Sequence, residues 1–170
     1  INKAFIFFII IFCNSVFSHV LSNDQLNFDI SQIEILDGGN KIIGKKRGKI
    51  TTNDGLTLDA DQFEYDKIKN ILRASGNIKI EDKINNYKIS SENIIYFKND
   101  EQIQINGKSD FFINSNYNFK TEDITILREE NIISSNKNVT IINKKNKTLY
   151  EIGKFTYSLK DEVLKGEDFF

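Results

Sequence analysis

"ADQFEYDKIKNILRASGNIKI" runs from Ala60 to Ile80. In it Phe63 and Tyr65 stand two apart, Leu72 follows Tyr65 after seven residues, and Ile78 and Ile80 again stand two apart. A shorter echo, "SQIEILDGGNKII", occupies Ser31 to Ile43 and writes Ile33, Ile35 and Ile42 at the same intervals. Spacing by two is the period of a β-strand with one dry face, and the three-and-four spacing of a helix is missing.

The echo extends over the chain. Aligned on Ile35, Tyr65, Tyr96, Ile126 and Tyr157, the anchors lie 30, 31, 30 and 31 residues apart. Two residues before each anchor stand Ile33, Phe63, Ile94, Ile124 and Phe155. Seven before stand Phe28, Leu58, Ile89, Phe119 and Tyr150, and nine before stand Leu26, Leu56, Tyr87, Tyr117 and Thr148. Seven after stand Ile42, Leu72, Ile103, Ile133 and Leu164. Only Thr148 of these 25 positions is polar, whereas a chain that is 39% hydrophobic would place about ten apolar residues there by composition. A fixed period of this length marks a structure built of repeats.

Residues between the tracks are mostly polar: Asn27, Thr57, Lys88 and Asn118, then Glu34, Glu64, Thr125 and Thr156. Each strand therefore has a wet and a dry face. The intervals of five (Leu58 to Phe63) and seven (Tyr65 to Leu72) are odd, so an unbroken strand would turn the second pair outward. A bend or turn is expected at each gap, and Asn, Asp and Gly in the gaps supply turn chemistry. A further turn-prone position follows at Gly76, Gly107, Asn136 and Gly166. The expected unit is about three short strands and two corners, repeated five times from Leu26 to Gly166. Stacked units share one apolar interior. Periodicity leaves open whether the result is a parallel solenoid or an antiparallel roll.

The chain has 170 residues, 23 Lys+Arg and 24 Asp+Glu, with no Pro, Trp or Met. This is the size of one globular domain. The near-neutral balance gives no basic face for nucleic acid, so no nucleic-acid partner is expected. "INKAFIFFIIIFCNSVFS" has the layout of a secretory signal peptide: Lys3, an apolar run from Ala4 to Cys13, and small residues up to Ser18. The run is about half the ~20 residues that a spanning helix needs. The expected division is a signal peptide over 1–18, cleaved after Ser18, and an exported domain over 19–170. An uncleaved anchor is the alternative; lipidation at Cys13 is disfavoured by the bulky Phe12 before it. The start without Met and the stop at "GEDFF" lead us to expect more protein beyond Phe170.

Catalytic groupings are sparse. His19 is the sole histidine and Cys13 the sole cysteine, which argues against a zinc site or a Cys–His nucleophile. No enzymatic activity, metal or cofactor is expected. "DADQFEYD" gathers Asp59, Asp61, Glu64 and Asp66, oxygens of the kind that calcium or a glycosidase pair would use, but their alternation with Leu58, Ala60, Phe63 and Tyr65 reads as a solvated face. "KKRG" at Lys45 to Gly48 reads as a solvated turn, with an anionic headgroup contact as its functional alternative.

The apolar interior is the candidate site. Its lining is expected to come from Leu56, Leu58, Phe63, Tyr65, Leu72, Tyr87, Ile89, Ile94, Tyr96, Ile103, Tyr117, Phe119, Ile124, Ile126, Ile133, Tyr150, Phe155 and Tyr157. These residues form a closed core in a structural or adhesive solenoid, or an apolar trough for acyl chains if the roll opens along one side.

Ala60, Asp61, Phe63, Tyr65, Asn70, Leu72, Ala74, Gly76, Asn77 and Ile78 resemble the repeat of the periplasmic lipopolysaccharide-transport domain, the OstA-like family, with its Ala-Asp-x-Phe-x-Tyr, turn, Asn-x-Leu-x-Ala-x-Gly-Asn pattern. "GKITTNDGLTL" before it is similar too; the resemblance covers roughly Phe28 to Ile105 and thins to the bare repeat from Gly107 onward. It implies an antiparallel β-jellyroll with an apolar groove that shields lipopolysaccharide acyl chains, and end-to-end pairing of edge strands with homologous periplasmic jellyroll domains. It also implies a place in the periplasm associated with the outer membrane. Two relatives fit, the soluble bridge protein and the N-terminal domain of the outer-membrane assembly protein, whose remainder is a β-barrel. The second is favoured here. The cysteines that pair in some outer-membrane relatives are missing from 19–170.

Overall fold

The computed structural model describes residues 26–114 and 116–169. The signal-peptide reading of 1–18, with Cys13 and His19, lies outside the described residues. Fourteen strands form one antiparallel sheet. They are β1 (Asn27–Ile30), β2 (Ile33–Leu36), β3 (Lys41–Gly44), β4 (Gly48–Thr51), β5 (Leu56–Ala60), β6 (Gln62–Asp66), β7 (Ile71–Asp82), β8 (Tyr87–Phe97), β9 (Gln102–Ile113), β10 (Tyr117–Leu127), β11 (Ile132–Ser135), β12 (Val139–Asn143), β13 (Leu149–Ser158) and β14 (Val163–Phe169). The roll is thus antiparallel, which decides the question that the period alone left open.

The comb of apolar positions is the ladder of this sheet. Ile35, Ile42, Tyr65, Leu72, Tyr96, Ile103, Ile126, Ile133, Tyr157 and Leu164 stand opposite one another in ten successive strand segments. A second row joins Phe28, Ile50, Leu58, Ile80, Ile89, Phe111, Phe119, Ile141 and Tyr150. The interval of seven is a hairpin, which places residue and partner directly across the turn. Asn70, Glu101, Asn131 and Glu162, each five residues past an anchor, take left-handed backbone at these turns. At the first of them the Tyr65 hydroxyl donates to Asn70 Oδ1 at 2.5 Å, so core strand and turn are tied by one bond.

The interval of five differs from the expected corner. In β8, β10 and β13 the strand continues through it, and where β7 to β10 pair along this line the register slips between Ser75 and Ile78, Ser90 and Asn93, and Glu122 and Ile124. An extra residue restores the facing that an odd interval would reverse, and it bends the strand. The unit is therefore two long bent strands and two hairpin turns, not three short strands. Gly76 is necessary at one bend. Its φ is +78°, and a Cβ there would lie 2.8 Å from Asp61 Oδ2. Asp61 N–H donates to the Gly76 carbonyl at 3.0 Å, and Asn77 Nδ2 donates to Asp61 Oδ2 at 2.6 Å. One repeat on, Gly107 N–H donates to Asp123 Oδ1 at 2.9 Å.

These bends line up as a crease that folds the sheet into two leaves. Leaf A comprises β1, β4, β5, β12 and the adjoining halves of β7–β10 and β13. Leaf B comprises β2, β3, β6, β11, β14 and the other halves. Their dry faces meet in one core. Aromatic pairs cross between them near both ends: Phe28 with Tyr65 at 5.8 Å between ring centroids, and Phe119 with Phe155 at 5.6 Å and with Tyr157 at 6.2 Å. Each large apolar side chain so buried contributes about 1.5–3 kcal/mol, and closure of the leaves draws on dozens of them.

Candidate functional site

The interior between the leaves collects most of the candidate lining. Leu56, Leu58, Phe63, Leu72, Tyr87, Ile89, Ile94, Tyr96, Ile103, Phe119, Ile124, Ile126, Ile133, Phe155 and Tyr157 are all buried in the shared core, and Tyr65 packs against it half-buried. Tyr117 and Tyr150 do not join them; both are exposed. Tyr117 stands at the rim of leaf A, far from the crease, and Tyr150 on β13 near the end of that leaf, where neither is covered. The interior is closed: the void bounded by Leu58, Leu72, Ile80, Ile94, Tyr96 and Ile103 holds about 10 Å3. A depression of about 900 Å3 lies instead on the outer side of the crease, walled by outward-facing Lys79, Lys108, Lys120 and Glu92.

Two ends of the dry rows are uncovered. At the start, β2 pairs with β3 alone among the described residues and leaves Ile33 and Ile35 exposed on the interior track. At the finish, β14 pairs with β13 alone and leaves Leu164 exposed. Unpaired backbone beside exposed apolar side chains is a template for another strand.

The acidic stretch resolves into separate structural contacts. Asp61 is held by Asn77 and by Arg47 at 2.9 Å, and these partners keep its carboxyl below the usual carboxylate range. Glu64 pairs with Lys41 at 3.1 Å, and Asp66 Oδ1 accepts the Lys69 N–H of its turn at 3.0 Å.

Sequence reasoning missed a polar cluster at the rim opposite the crease. Arg128 stands two residues past the anchor Ile126, so the strand alternation aims it inward, and its side chain is only 7% exposed. Its Nη1 donates to Glu101 Oε2 at 2.5 Å and to the Tyr96 hydroxyl at 3.0 Å, and its Nη2 pairs with Asp54 Oδ2. The Tyr96 hydroxyl donates to Glu101 Oε2 at 2.7 Å, and the Thr52 hydroxyl donates to Asp54. Burial works against the charged guanidinium, yet Tyr96, Asp54 and Glu101 outweigh it and hold Arg128 above its ordinary value. Burial also works against the Asp54 carboxylate, and Thr52 and Arg128 overcome it, leaving Asp54 below the usual range. Burial pushes the Tyr96 and Tyr87 hydroxyls well above the ordinary phenol value. The available signal was the position two past each anchor, Asp37, Lys67, Lys98, Arg128 and Leu159, where charge interrupts a dry row.

No family model matches the chain, and no curated protein matches it. Among solved structures, the fold is similar to that of LptH from Pseudomonas aeruginosa, the LptA-homologous periplasmic component of the lipopolysaccharide transport device. The two are 11% identical with a TM-score of 0.53, over 84% of this chain and 82% of that one. At this identity the likeness is one of fold.

Proposed function

We propose that this protein is a periplasmic jellyroll of lipopolysaccharide transport and assembly, which shields lipid acyl chains between its leaves and docks edge to edge with homologous domains. The observation that carries this reading is the pair of apolar rows that runs the length of the sheet and emerges uncovered at Ile33 and Ile35 and at Leu164. A cargo passed between stacked domains needs such continuity. Each buried CH2 of an acyl chain gains about 0.8 kcal/mol, and an even lining without a deep subsite lets the chain slide. Strand addition at β2 and β14 supplies the docking. The fold shared with LptH supports a bridge-type component over the N-terminal domain of a barrel protein, the relative that the sequence favoured. Alternating strands of ~10 residues with aromatic ends downstream of Phe170 would reverse that preference and add an outer-membrane barrel as partner.

The test is a photo-crosslinking side chain at Tyr96 or Phe119 in living cells. Covalent capture of lipopolysaccharide is expected, and a probe that never captures lipid would sink the proposal. The second reading is an exported structural or adhesive β protein with no cargo. The nearly void-free interior favours it, and it predicts that same absence of capture.

A further inference from the structure

Acyl chains cannot lie in a space of about 10 Å3, so uptake requires the leaves to part. They are continuous at the crease, where β7 to β10 run through, and separate at the opposite rim, where hairpin turns of the two leaves meet. Asp54 belongs to the β4–β5 turn of leaf A, whereas Glu101 and Arg128 belong to the β8–β9 and β10–β11 turns of leaf B. Asp54 and Arg128 are 74 residues apart in sequence, and theirs is the one ion pair across this mouth among the described residues. An exposed hydrogen bond from Asn114 Nδ2 to Glu162 Oε1, at 3.1 Å, also crosses it. Directly beneath lies the apolar interior, since Thr52 and Tyr96 contact both the pair and the void.

We propose that the Asp54–Arg128 pair is a latch whose opening admits the acyl chains of an anionic lipid into the interior. The inference rests on the lipid-shielding reading above. The arrangement suits reversible opening. Arg128 keeps Glu101 on its own leaf when the mouth parts, so no charge is stranded. Arg128 Nε and the Tyr87 hydroxyl are buried without a partner while it is shut. Opening hydrates both, which offsets part of the lost pair. Asp54 is 38% exposed and regains water with little movement.

The experiment is stopped-flow anisotropy of fluorescein-labelled lipopolysaccharide with the full chain and three variants. Asp54→Asn preserves shape and removes the charge; it is expected to take up the probe about tenfold faster, the factor that ~1.4 kcal/mol of closing energy supplies. Asp54→Glu restores slow uptake. Asp61→Asn loosens the crease and leaves the rate as it was. Probe bound at equal rates by the native chain and Asp54→Asn, or equal acceleration by Asp61→Asn, overturns the latch and leaves the lipid trough standing. No binding by any of the four proteins overturns both.

Discussion

The crease and the mouth are the two long margins of the same interior, and they are held in different ways. At the crease β7 to β10 run through, and successive repeats contribute bends: Asp61 with Gly76 and Asn77, then Gly107 with Asp123. Hydroxyl groups fill the angle, with Ser109 Oγ donating to Ser91 Oγ at 3.3 Å and Ser135 Oγ donating to the Glu122 carbonyl at 2.7 Å. At the mouth no backbone pairing crosses; one inward arginine meets a carboxylate from the facing leaf, and one exposed hydrogen bond joins Asn114 to Glu162. A margin made of repeated local geometry resists opening along its whole length. A margin held by one ion pair and one exposed hydrogen bond has few points of release.

The largest effect should come from the interior that both margins enclose. Phe119→Ala removes a ring packed against Phe111, Phe155 and Tyr157, and denaturant unfolding should show a loss of about 3–5 kcal/mol. Next comes the crease. Gly76→Ala forces a side chain into left-handed backbone and against Asp61; the expected cost is about 1–3 kcal/mol. In the Asp61→Ala background the clash with the carboxylate disappears and only the Cβ contact at 3.0 Å remains, so the same substitution should cost less, and additive losses in that double-mutant cycle would refute the carboxylate contact.

Acid tests both margins together. Asp54 and Asp61 both have lowered carboxyl values, so each favours the folded state above the unfolded value near 3.8. That contribution is lost as the pH falls through the lower folded value. Amide exchange at the β4–β5 turn should therefore quicken below pH 3.8 in the native chain, and Asp54→Asn should abolish the change at that turn without altering it at Asp61. The smallest effect belongs to ion pairs on the exposed outer face of the sheet. Lys88→Ala breaks the exposed contact with Glu81 at 3.1 Å and should change stability by less than ~0.5 kcal/mol.

The crease was legible in the sequence because it is periodic. Odd intervals between apolar pairs demand a correction of facing, and the turn-prone positions Gly76, Gly107, Asn136 and Gly166 recur along the line where it falls. Its form was not legible, since a bulge and a corner satisfy the same parity; pairing with a neighbouring strand selects the bulge. The mouth was hidden for another reason. Arg128 sits in "LREENI" among ordinary turn residues, and nothing local ties it to Asp54.

By itself the sequence determined the strand period, the repeat and the dry-face positions from Ile35 through Leu164, because side-chain alternation and turn preference act over a few residues; the antiparallel ladder that pairs them came from the folded sheet. Tertiary structure alone decided that the leaves close on each other, that Tyr117 and Tyr150 stand outside, and that Asp54 meets Arg128. Those outcomes depend on where distant turns arrive once the sheet has folded along its crease, and no short-range rule contains that distance.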